Sequence, residues 1–129
     1  MSMTALDLPP EVLKKYRPLD AIKKSRMKFS AEITSRRRRA MSAARKAAKL
    51  LKTEFGANEV ILFGSLARRV GFTFWSDIDL ASRGIPSDRY LEAMDTVLYL
   101  SSEFKIDLVE LETCSPTLLS SIELDGKSL

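Results

Sequence analysis

The sequence predicts a small α/β or α+β domain. A helical apolar pattern fills roughly residues 33–55. Short strand-like segments follow at 59–63, 77–82 and 104–111, with helical stretches between them. A length of 129 residues suits one domain and leaves no room for two full-sized ones.

Taken in order, residues 1–10 end in Pro9-Pro10 and read as a loose arm, and Glu11 to Tyr16 as a short helical turn that stops before Pro18. Asp20 to Phe29 is lysine-rich and only weakly amphipathic, so it is left unassigned. Ile33, Arg37, Ala40, Met41, Ala44, Ala47, Ala48, Leu51 and Phe55 fall at helical spacing and form one face, with Arg37 its polar exception. Arg36, Arg38, Arg39, Arg45, Lys46, Lys49 and Lys52 lie mostly away from that face. Gly56 is placed to end the helix in the left-handed conformation. Glu59 to Phe63 is β-branched and continuously apolar, the pattern of a strand buried on both faces. Gly64-Ser65 breaks it, Leu66 to Val70 reads as a brief helical turn, and Gly71 to Trp75 as a loop with an aromatic tip. Asp77 to Ser82 is the second strand. Ser87 to Leu100 is a helix, with Ser87 as its N-cap and Leu91, Met94, Val97 and Leu98 as its buried stripe. Phe104 to Leu111 is the third strand. Ser115-Pro116 caps and opens a last helix running to about Leu124.

Composition removes whole classes of chemistry. There is no histidine, which excludes Ser-His-Asp and Cys-His catalysis, His-ligated zinc and imidazole bases. The single cysteine, Cys114, cannot form an internal disulfide, and no leader pattern opens the sequence, so a reducing cytoplasm is the expected compartment. No apolar run is long enough to span a membrane. Charge is divided along the chain. Residues 1–58 carry 15 Lys and Arg against 5 Asp and Glu, whereas residues 59–129 carry 6 against 12. A basic front suits an anionic partner, or is simply the solvated face of a helix; an acidic back suits a cation.

The chemistry concentrates between Leu62 and Leu80, LFGSLARRVGFTFWSDIDL. On a strand, Asp77 and Asp79 point to one face, while Ile78 and Leu80 point to the core. Two such carboxylates repel one another unless a cation lies between them, and magnesium, which takes hard oxygen ligands, answers that need. Gly64-Ser65 closes a buried strand where bare backbone N–H groups can meet phosphate oxygens, and Arg68 and Arg69 add positive charge to the same turn. Asp107 faces away from Ile106 and Leu108 on the last strand and needs a partner among apolar neighbours. Together these features suit two-metal phosphoryl transfer.

The sequence of an apolar strand, Gly-Ser, eleven residues, Asp-x-Asp and a later strand Asp resembles the nucleotidyltransferase superfamily that includes DNA polymerase beta. GSLAR…SDIDL most resembles its minimal nucleotidyltransferase (MNT) branch, over roughly residues 35–129. The resemblance implies a small mixed sheet flanked by helices. It divides the chain into a basic arm and short helix, 1–30, and a nucleotidyltransferase domain, 31–129. It also implies transfer of a nucleoside monophosphate from a triphosphate, with release of pyrophosphate. Asp77, Asp79 and Asp107 would hold two magnesium ions, with manganese as the alternative, and Asp107 would help deprotonate the acceptor. Gly64, Ser65, Arg68 and Ser76 would contact the nucleotide, ATP.

The chain departs from the pattern at Leu66, where many relatives are basic, at Arg69, where glycine is usual, and in the aromatic loop GFTFW. Some twenty residues follow Asp107, too few for an acceptor-binding domain. The acceptor is therefore expected on a partner, on a second copy of this chain or on the basic helix. The MNT resemblance implies an antitoxin that adds AMP to a tyrosine of a HEPN-type RNase toxin. Two alternatives stay open: an RNA- or protein-binding module, using residues 14–52 on an inactive scaffold, and a homodimeric small-molecule nucleotidyltransferase of the antibiotic-modifying kind. Phe72, Phe74 and Trp75 either stack on the base, meet the partner or pack beneath their loop. Tyr16, Tyr90 and Tyr99 are either packing residues or sites of self-modification.

Overall fold

The computed structural model describes residues 18–129, so the arm and the turn expected at 11–16 lie outside the described residues. The chain divides into two compact units, Met1–Thr34 and Ser35–Leu129. Helix α1, Pro18–Phe55, supplies residues to both, and the unassigned segment 20–29 belongs to it. Within the second unit follow β1 (Glu59–Phe63), α2 (Gly64–Arg68), β2 (Ile78–Arg83), a 3-10 turn (Ser87–Arg89), α3 (Tyr90–Leu98), β3 (Ile106–Glu110), α4 (Pro116–Asp125) and β4 (Lys127–Ser128). None of the described helices is long and apolar enough to cross a membrane.

The four strands form one mixed sheet in the order β3-β2-β1-β4. β1 is antiparallel to β2 and β4, whereas β2 and β3 run parallel. Alternation divides the apolar residues between two faces. Val60, Leu62, Ile78, Leu80, Ile106 and Leu108 share a core with Ala40, Ala44, Ala47, Ala48, Leu51 and Phe55 of α1 and with Ala93 and Val97 of α3. The alanines of α1 let the helix approach the sheet closely. On the opposite face, Ile61, Ala81, Leu111 and Ile122 make a smaller cluster beneath α4. Ile78, Leu80, Ile106 and Leu108 thus point to the core, as strand alternation predicts.

Local signals account for the helix ends. Gly56 has φ +75°, and the Ala57 N–H beyond it donates to the Leu51 carbonyl at 3.0 Å, closing α1. The Ser115 hydroxyl accepts from the Leu118 N–H at 3.2 Å, with Pro116 at the first helical position of α4.

Helix α3 departs from its sequence pattern. Ser87 does not cap it, because a 3-10 turn intervenes and Tyr90 is its first residue. Its buried stripe is Ala93 and Val97, while Leu91 is 78% exposed and Met94 is also exposed. Two stripes one position apart on a helix are both apolar here, and the one that carries Ala93 and Val97 joins the core. Leu80→Ala should therefore lower stability by about 2–5 kcal/mol, whereas Leu91→Ala should change it by less than about 0.5 kcal/mol. Urea denaturation of both variants checks this assignment.

Candidate active site

The site is built by strand register. Phe63 pairs with Asp79, and Asp79 pairs in turn with Asp107, so the end of β1 and two carboxylates lie in one row across three strands. Asp79 and Asp107 occupy the sheet face of Ile61 and Ala81. Strand β2 begins at Ile78, so Asp77 stands one residue ahead of it rather than within it.

The tightest contact joins Asp79 to the Gly-Ser turn. Gly64 adopts φ +77°, and a Cβ built on it would lie 2.4 Å from Asp79 Oδ2 and 3.3 Å from Asp79 Cγ. Only glycine fits there, on conformation and on space. Helix α2 starts directly at Gly64, two residues earlier than its apolar pattern suggests, with no side-chain cap. The first N–H groups of α2 therefore lack intrahelical partners and are suited to accept an anion. Ser65 is half-buried at this turn, and Arg68 lies exposed at its end. Arg69 follows in the left-handed region at φ +61°, the place where the family pattern has glycine.

Electrostatics mark Asp79 as the strained member. Burial raises its pKa above the usual aspartate value, and the charges of Asp107 and Asp77 push it further, against the opposing pull of Arg68 and Lys105. The partner that Asp107 was expected to need is Lys105, whose Nζ lies 3.7 Å from Asp107 Oδ1. Lys105 was not anticipated, although strand alternation puts it on the same face as Asp107. Among the described residues, no three Asp, Glu or Cys side chains stand close enough to cage a metal unaided. The donor set still fits a hard divalent ion. It offers only carboxylate oxygens, two of them on directly paired residues, and Asp79 is destabilised by like charge that such an ion would cancel.

Other expected residues are placed differently. Ser76 is committed to its own loop: its hydroxyl accepts from the Thr73 N–H at 2.9 Å and donates to the Gly71 carbonyl at 3.4 Å. Phe72 is buried in the main core, Phe74 meets Trp75 edge-to-face at 6.3 Å, and Trp75 itself is 85% exposed. Tyr90 donates its hydroxyl to the Leu108 carbonyl at 3.0 Å, and burial, then Glu110 and Glu112, raise its pKa, which leaves it a packing residue. Tyr99 is exposed, and Tyr16 lies outside the described residues.

The arginine run is largely engaged. Arg37, the polar exception on the apolar face of α1, donates from Nη2 to the Leu66 carbonyl at 3.2 Å and so ties α1 to the Gly-Ser turn. Arg36 lies 4.5 Å over the Phe104 ring, and Arg39 makes a 2.8 Å bond to Glu103. The cationic face read from the sequence is thereby reduced at two of its positions, Arg36 and Arg39.

Two outcomes follow from this geometry. Gly64→Ala should displace the Asp79 carboxylate and abolish nucleotide binding, read by calorimetric titration of ATP with magnesium. The elevated pKa of Asp79 has a defined sign: its contribution to stability is fully present below the ordinary aspartate pKa and is lost as pH rises through the elevated value. With a chelator present, Asp79→Asn should thus be more stable than wild type at pH 7.5, and the difference should shrink near pH 3. Thermal melts at both pH values measure it.

Comparison with known proteins agrees with this architecture. The family model described as "Polymerase beta, Nucleotidyltransferase" matches residues 45–129. No curated protein sequence matches the chain. Among solved structures, a toxin–antitoxin with AMP-PNP is similar, with 25% identity and a TM-score of 0.55 over 66% of this chain and 70% of that one. A mutant MntA–HpeT toxin–antitoxin is 28% identical, with a TM-score of 0.54 over 66% of this chain and 69% of that one. The fold is shared with a chain of a tri-AMPylated Shewanella oneidensis HEPN toxin in complex with MNT antitoxin, at 24% identity and a TM-score of 0.52 over 69% and 70% of the two chains. Matched by that family model over residues 45–129, the chain belongs to the polymerase beta nucleotidyltransferase family, and minimal nucleotidyltransferase antitoxins are among its structural relatives.

Proposed function

We propose that this chain transfers AMP from ATP to a hydroxyl of a partner protein, a tyrosine of a HEPN-type RNase toxin, and so acts as its antitoxin. The observation that carries the reading is the row Phe63–Asp79–Asp107, which sets one carboxylate against the Gly64 backbone and a second beside it. The similarity to toxin–antitoxin complexes, one of them with AMP-PNP, favours a protein acceptor over a small molecule.

In the proposed reaction the backbone N–H groups at Gly64 and Ser65 hold the β and γ phosphates, and Arg68 neutralises part of their charge. Asp77, Asp79 and Asp107 would hold divalent ions, magnesium or manganese, which supply Lewis-acid stabilisation of the triphosphate. The acceptor oxygen bonds to the α-phosphorus while the bond from that phosphorus to the bridging oxygen breaks, and pyrophosphate departs. The hydroxyl proton passes to the Asp107 carboxylate, whose side chain is 43% exposed and lies beside Lys105. Ser76 acts indirectly, by holding the loop that leads to Asp77.

ATP labelled at the α-phosphate, incubated with the protein, magnesium and a lysate of the source cells, tests this. A protein band should be labelled by wild type and not by Asp79→Asn, with the label on tyrosine by mass spectrometry. Asp107→Asn should slow transfer by about 10²–10⁴-fold, the usual worth of a positioned general base. Absence of labelled protein together with absence of pyrophosphate would overturn the reading.

A further inference from the structure

Beside Asp107 lies an open groove lined by Leu91, Met94, Asp95 and Leu98 of α3 and by Ile106, Asp107 and Leu108 of β3. Leu91, Met94 and Leu98 stand three and four residues apart, so they form one apolar stripe along α3. This is the stripe that helical periodicity assigns to the core, yet Leu91 and Met94 are exposed. Exposed aliphatic stripes of this kind mark contact surfaces more than they mark plain solvent faces.

The floor of the groove is the outer edge of the sheet, because β3 is a terminal strand. The Ile78 N–H donates to the Lys105 carbonyl at 2.9 Å, and the Leu111 N–H donates to the Ser82 carbonyl at 2.9 Å. The peptide groups of Lys105, Asp107, Val109 and Leu111 therefore face β2, and alternation turns those of Ile106, Leu108 and Glu110 outward. The Leu108 carbonyl is taken by the Tyr90 hydroxyl, and the Glu110 carbonyl by the turn that follows. Among the described residues, the N–H groups of Ile106 and Leu108 and the Ile106 carbonyl keep no partner. An edge of this kind is a template for one more strand.

We propose that the groove seats an extended polypeptide segment of the acceptor protein, added to the sheet beside β3 with its hydroxyl residue opposite Asp107. This rests on the reading of the chain as a protein-hydroxyl nucleotidyltransferase. The groove is continuous with the candidate active site, since Asp107 lines both. Alternation fixes the presentation: the residue paired with Asp107 lies on the face of Asp79 and Asp107, with Cβ atoms about 4.5–5.5 Å apart. Its two neighbours turn to the opposite face, onto Leu91, Met94 and Leu98. The preferred acceptor is thus a hydroxyl residue between two apolar ones. A nucleic acid fits poorly, because the groove offers aliphatic rather than stacking surface and Asp95 and Asp107 would repel phosphates.

The test uses the full chain and three fluorescein-labelled nine-residue peptides: one centred on Val-Tyr-Val, its backbone N-methylated counterpart, and one centred on Gly-Tyr-Gly. Without nucleotide, anisotropy should show the first binding at least tenfold more tightly than the others. It should also slow amide exchange at Ile106 and Leu108. Leu91→Asp and Met94→Asp, each at an exposed position, should weaken binding at least tenfold with unchanged melting temperature. Equal affinity for the three peptides, unaltered exchange at those amides, or no binding at millimolar peptide would overturn the proposal. Adding ATP and magnesium separates it from the reading beneath it. Bound peptide that is never adenylylated leaves the groove standing and removes the proposed reaction. Tyrosine modified equally by wild type and both groove variants, but not by Asp79→Asn, removes the groove and leaves the reaction.

Discussion

The Asp79 carboxylate lies against the Gly64 backbone with no space for a Cβ between them, and the rest of the site depends on that contact. It forces β1 and β2 into a register in which Phe63 faces Asp79. It requires a residue without a side chain at the turn, in the left-handed region, and so sets the direction in which α2 leaves the sheet. The parallel pairing with β3 then delivers Asp107 to the same row. Burial of this carboxylate, followed by repulsion from Asp107 and Asp77, raises its pKa above the usual aspartate range.

The two faces of the sheet divide the labour. One face is closed by α1 and α3 around a continuous apolar core, which supplies the stiffness that a row of like charges needs. The other is covered by α4 only over Ile61, Ala81 and Leu111, and Asp79 and Asp107 lie on that face beyond this cluster. Arg37 links the two halves of this arrangement, because its side chain leaves the apolar face of α1 to hold the Leu66 carbonyl of the Gly-Ser turn. A helix residue that interrupts its own hydrophobic pattern thereby supports the loop on which phosphate binding would rest.

The engagement of Arg36, Arg37 and Arg39 by Phe104, Leu66 and Glu103 changes the weight of the basic helix. A run of four arginines suggests an anion-binding strip, but guanidinium groups also serve as bridges to rings, carbonyls and carboxylates. Here three of the four have such partners. The cations that remain exposed on α1, among them Arg38, Arg45, Lys46 and Lys49, gather on the solvent side of the helix, away from the buried Ala40, Ala44, Ala47 and Leu51.

The identity of β1, β2 and β3, the end of α1 at Gly56, the cap at Ser115 and the inward direction of Ile78, Leu80, Ile106 and Leu108 were legible in the sequence, whereas β4 (Lys127–Ser128) was not. Each depends on local dihedral preference or on alternation, which neighbouring residues settle among themselves. The grouping of Gly64 with Asp77, Asp79 and Asp107 was legible as a motif and a resemblance. What only the tertiary structure decided was which of two overlapping apolar stripes on α3 is buried, that Ser76 is spent on its own loop, and that Lys105 balances Asp107. Those outcomes turn on how a helix packs against a sheet, and on which hydrogen bonds and charges are close at hand. Such quantities arise between segments distant in the chain, and no periodicity within one segment encodes them.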